Sequence, residues 1–101
     1  MDKVILRTQG FMRSIPPEKQ NRIMSIAVSK INPKTNWVVF KKEAEKEHFE
    51  DEGRTLVVPM DIPKTVYAIL DDYGDSGTLS DNLGQKVNTR YAVTFLLAEE
   101  Y

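Results

Sequence analysis

Cysteine is absent from this chain. Its absence excludes disulfide staples and thiolate chemistry, and it argues against an oxidising compartment, where small domains usually carry staples. Histidine is almost absent: His48 stands alone in a run of Glu and Lys. One solvated imidazole cannot build a site that needs several N or S ligands. Nor is it placed to serve as the base of a hydrolytic triad. No apolar run approaches the ~20 residues that a membrane-spanning helix needs. The start, Met1-Asp2-Lys3-Val4-Ile5-Leu6-Arg7, lacks the apolar stretch of a signal peptide. Cytoplasm is therefore the expected location, with no membrane involved. No internal repeat is visible, and 101 residues fit a single domain, 1–101.

What the chain does have is a soluble globular balance, 41% hydrophobic and 29% charged. The charge is unevenly spread. Residues 1–42 hold nine Lys/Arg and two acids, net +7; residues 43–60 hold six acids and two bases, net -4; residues 61–101 hold seven acids and three bases, net -4. Asymmetry of this kind marks either a partner surface or two halves that neutralise each other when folded.

Residues 3–9 read as a short strand ended by Gly10. A helix is predicted from about Pro16 to Ile31. Ser14 is its candidate cap, Pro16 and Pro17 sit in its first turn, and Glu18 lies near its positive end. Ile23, Met24, Ala27 and Ile31 form its apolar stripe, and Asn32-Pro33 stops it. Strands are predicted over 36–41, 54–60, 65–72 and 89–98, the last two pairing antiparallel. Residues 41–52 read as a short exposed helix or a mobile hairpin connection. Residues 73–88, rich in Gly, Asp, Ser and Asn, read as a long loop of the kind that tends to be functional or disordered. The expected fold is α+β: a mainly antiparallel, four- or five-stranded sheet with one amphipathic helix packed on one face. Trp37, Phe40, Val57, Tyr67, Ile69, Val93, Phe95 and Leu97 are the core candidates beside the helix stripe.

The motifs that could carry chemistry fail on inspection. Gly74-Asp75-Ser76-Gly77 has the look of a serine-nucleophile segment, but the chain is too small for the two-barrel proteases that use it. It also matches a phosphate-clamping Gly-x-x-Gly, yet Asp71, Asp72, Asp75 and Asp81 around it would repel phosphate. The same acids miss the EF-hand spacing, with Tyr73 where an oxygen ligand is wanted and no closing Glu. No catalytic residue, metal or cofactor is expected. A basic edge remains on the helix: Lys19, Arg22 and Lys30 project within about 80° of one another, with Arg13 just before them. It could touch phosphates, or be a solvated helix face, and no aromatic stacking platform is expected with it.

Thr8-Gln9-Gly10, Ile15-Pro16-x-Glu18-x-Gln20, Trp37-x-Val39-Phe40 and the final Glu99-Glu100-Tyr101 together resemble a family of small, roughly hundred-residue proteins of unknown function. The family occurs in Gram-positive bacteria and their phages and mobile elements. The resemblance implies a phage or mobile-element setting, in which small proteins often bind and block a larger host complex. No catalytic residue is carried over by it. The leading expectation is thus a non-enzymatic protein-binding module, of the kind that inhibits a host defence complex (anti-CRISPR or anti-restriction type). Its acidic segments would make the contact, through Tyr73, Asp75 and Asp81 or through Glu43, Glu45, Glu47 and Glu50, with a larger host protein or nucleoprotein complex as partner. The alternative is a nucleic-acid-binding accessory protein using Arg13, Lys19, Arg22 and Lys30.

Overall fold

A computed structural model describes residues 2–101. The chain order is β1 (Val4–Arg7), α1 (Gln9–Ser14), α2 (Pro17–Lys30), β2 (Trp37–Lys41), β3 (His48–Glu50), β4 (Thr55–Pro59), β5 (Val66–Asp72), α3 (Ser76–Leu83) and β6 (Tyr91–Leu97). Short 3-10 turns occupy Asp51–Gly53 and Ala98–Glu100. The six strands form one sheet in the order β1-β6-β5-β2-β4-β3. The fold is α+β as expected, but the sheet is mixed and larger. β1 runs parallel to β6 and β2 parallel to β4, while β5 pairs antiparallel with both β2 and β6, and β3 antiparallel with β4. Three helices replace the one expected.

Strand alternation separates the two faces. Val38 and Phe40 of β2, Leu56 and Val58 of β4, Val66, Ala68 and Leu70 of β5, and Val93, Phe95 and Leu97 of β6 all point to one side. There they meet Phe11 of α1 and Ile23 and Ala27 of α2, with Ile15, Ile31, Met60 and Ile62, in one buried cluster. The α2 stripe is as predicted, with Met24 half-buried against the cluster's margin. Ser14, however, does not cap it. Ser14 ends α1, and Pro16 occupies the N-cap position with no side-chain bond.

α1 lies where the sequence suggests only a strand end at Gly10. Thr8 caps it by accepting from the Phe11 N–H (3.1 Å). Its C-terminal carbonyls, which no intrahelical donor can reach, are met by Gln20 of the next helix. The Gln20 amide donates to Met12 O (3.0 Å) and to Ile15 O (2.7 Å), and Gln20 is itself buried.

Two further expectations are corrected. Residues 41–52 hold no exposed helix; they form a turn, the short edge strand β3 and the Asp51–Gly53 turn, where Asp51 and Glu52 both take positive φ. Residues 73–88 are not a structureless loop, because α3 lies within them. Asp75 caps α3 by accepting from the Thr78 N–H (2.7 Å), and left-handed Gly84 (φ 72°) closes it.

Candidate functional site

The face turned away from α1 and α2 is built from the alternate positions. α3 packs against β6 at one margin and buries Leu79, and Ala92 on this side is buried as well. Elsewhere Trp37, Val39, Thr55, Tyr67, Ile69, Thr94 and Leu96 are half-exposed, and no helix lies over them among the described residues. The sequence suggests Trp37, Tyr67 and Ile69 as core residues. They belong to this open face instead.

Three rings gather at its centre. Trp37 and Tyr67 meet edge to face at 5.4 Å between centroids, Tyr101 meets Trp37 at 5.0 Å, and Tyr101 meets Tyr67 at 6.0 Å, all with interplanar angles of 67–77°. Such pairs add stability beyond the area they bury. Tyr101 is nevertheless 73% exposed and contributes the outermost ring.

Tyr101 is held there by the turn that precedes it. The Ala98 N–H donates to Thr65 O (2.9 Å) and the Tyr101 N–H to Ala98 O (3.1 Å). Between them, one oxygen of Glu100 accepts from the Leu97 N–H (2.8 Å) and the Thr8 hydroxyl (2.7 Å). These two donors, together with the Gly10 N–H and the nearby Lys64 ammonium, hold the Glu100 carboxyl below the usual carboxylate range. The carboxylate lies so close to Gly10 that a Cβ there would fall 2.6 Å from Glu100 Cδ. Residues distant in sequence are therefore joined in space: Thr8 and Gly10 with Glu100, and Trp37 with Tyr101.

The acidic residues singled out in the sequence do not form one surface. Glu43, Glu45 and Glu47 lie in the turn after β2. Tyr73, Asp75 and Asp81 follow β5, which runs antiparallel to β2, and so lie at the opposite end of the sheet. Glu50 sits on the edge strand β3 and bonds His48 Nε2 (2.8 Å). That bond, with the one from His48 Nδ1 to Lys46 O (2.9 Å), raises the His48 pKa, the backbone partner contributing most. Tyr73 is half-buried, its N–H donating to Arg90 O (2.8 Å). Asp75 is committed to its cap, and the Thr78 N–H lowers its pKa. It cannot be charge-reversed without loosening α3. Asp81 is exposed and free of that constraint.

Arg13, Arg22 and Lys30 are exposed and Lys19 half-buried on the outer side of the helix layer, and none makes an ion pair among the described residues. Trp37 and Tyr67 stand in runs apolar at every position, so alternation alone does not show which face they take. Tyr101 could not have been found this way, because its place depends on contacts with residues far away in sequence. No family model, curated protein or solved structure matches this chain.

Proposed function

We propose that the protein is a non-enzymatic binding module that docks on a larger protein through the open face of its sheet. The observation that carries this reading is the Trp37–Tyr67–Tyr101 cluster, centred on the part of this face that no helix covers among the described residues. Interface energy concentrates in a few aromatic residues near the middle of the contact, and charged groups are depleted there. The centre of this face fits both features. Trp37 is flanked in register by Thr55 and Ile69, and Tyr67 by Val39 and Leu96. The mutually tilted rings favour a protein over single-stranded nucleic acid, whose bases need flat faces free for stacking. Blocking a larger complex is the form of binding that the family resemblance implies, with Glu43, Glu45, Glu47 and Asp81 adding charge at the rim.

Affinity capture from host cells tests the reading. A variant combining Trp37→Ala and Tyr101→Ala should lose the captured protein while keeping its fold by circular dichroism. A variant combining Arg22→Glu and Lys30→Glu should retain it. Equal capture by the aromatic variant would remove the open face as the site.

A second reading rests on the unpaired bases Arg13, Lys19, Arg22 and Lys30. If they bind phosphates, filter binding to duplex or single strands should weaken steeply with salt, because each contact releases counterions. Absence of binding at low salt would exclude it.

A further inference from the structure

The two edges of the sheet differ in charge and match in shape. In a parallel ladder alternate residues of a strand turn both backbone groups toward the neighbour. The Thr8 N–H donates to Phe95 O (3.0 Å). Val4, Leu6 and Thr8 therefore face β6, and the N–H and C=O groups of Ile5 and Arg7 face outward from the β1 edge. At the other edge the Trp37 N–H donates to Arg54 O (3.2 Å). Leu56 and Val58 therefore turn to β2 and Thr55 and Val57 to β3, where they oppose Glu50 and His48. That leaves the backbone groups of Phe49 outward. Ile5 is in register with Val93 and Phe49 with Leu56, so both side chains lie on the helix-bearing face. Both are exposed large apolar residues, Ile5 by 41% and Phe49 by 62%.

We propose that the β1 edge of one molecule pairs antiparallel with the β3 edge of a second copy, placing Ile5 opposite Phe49 and continuing the sheet from one copy to the next. Ile5 and Phe49 then exchange both N–H···O bonds, and their side chains cover each other. The same register brings Arg7 opposite Glu47, the residue just before β3, an opposite-charge pair of the kind that stabilises facing strands. Like edges repel instead. Two β1 strands centred on Ile5 would oppose Lys3 to Arg7, and two β3 edges would bring the acidic run from Glu47 to Glu52 against its own copy. The contact is therefore heterologous: a dimer keeps one free edge at each end, so assembly continues beyond two copies, into a ring or an open series. It leaves the aromatic face uncovered in every copy.

Sedimentation of the full chain over a range of concentrations tests this. Wild type should form a concentration-dependent series beyond the dimer. Ile5→Lys and Phe49→Lys should each be monomeric, with unchanged circular dichroism. Mixed in equal amounts, they should form a one-to-one dimer and nothing larger, because each retains the edge that the other lacks. Arg7→Glu should weaken assembly, and adding Glu47→Arg in the same chain should restore it. A wild-type chain that stays monomeric at its highest soluble concentration overturns the proposal. So does assembly that stops at a dimer, or assembly indifferent to both Lys variants. If one Lys variant does not fold, the other with the charge swap decides the matter.

Discussion

The two faces of this sheet are made by the same strands, residue by alternate residue, and they end in opposite states. On one side Val38, Phe40, Val66, Ala68, Val93 and Phe95 are fully buried under α1 and α2. On the other, Trp37, Val39, Tyr67, Ile69 and Leu96 remain half-exposed. The larger and more aromatic set is the one left partly in water. The comparison teaches that bulk does not decide burial. The covered residues share one buried cluster with Phe11, Ile23 and Ala27 of the helices, whereas the exposed rings pack on one another.

The sharpest break in the comparison comes from the covered face. Ile23→Asp would put an unpaired charge into a low-dielectric core, which should cost several kcal/mol out of the ~5–15 kcal/mol that domains possess. Thermal melts should find the variant partly or wholly unfolded. Gln20→Ala should come next. It leaves the Met12 and Ile15 carbonyls without their donor, at about 1–3 kcal/mol by denaturant titration, and the loss should fall on α1 first. Tyr67→Ala on the open face should cost less, about 1 kcal/mol, since it removes edge-to-face contacts and no buried core. If Tyr67→Ala destabilises as much as Ile23→Asp, the distinction between the faces fails.

The smallest effect concerns the Glu100 carboxylate that positions Tyr101 over the open face. Its pKa is lowered on folding, so its contribution is fully present above its unfolded pKa of about 4.3. That contribution disappears as pH falls through the lower folded value. Melting temperatures of wild type and Glu100→Gln should therefore differ at neutral pH and converge in acid. A constant difference at every pH would assign the effect to packing rather than to charge.

Legibility in the sequence followed the range of the interactions. α2 was readable because its stripe of Ile23, Ala27 and Ile31 and its stop at Asn32-Pro33 are local. α3 had its signals in place, Asp75 three residues before Thr78 and Gly84 just past the end, but the density of Gly, Asp and Ser suggested a loop. The faces of β5 were ambiguous because Val66-Tyr67-Ala68-Ile69-Leu70 is apolar at every position, and a one-residue change of register exchanges the two faces. Size alone favours Tyr67 and Ile69 as core, and the structure places them on the open face. Of the candidate site, Trp37 and Tyr67 were noticed and misplaced, and Tyr101 appeared only within the terminal motif. The acidic segments, prominent in sequence, lie at opposite ends of the sheet.

By itself the sequence determined the α+β class, the single long amphipathic helix, the approximate course of the strands and the exclusion of cysteine chemistry. Each of these rests on composition or on periodicity within one segment. The tertiary structure alone decided the parallel pairing of β1 with β6 and of β2 with β4, the existence of α1 and the exposure of the aromatic face. Parallel neighbours are brought together by crossovers that leave no local mark. α1 depends on a cap from Gln20 and on a carboxylate, Glu100, from the far end of the chain. The face that remains open is whichever one α2 does not reach.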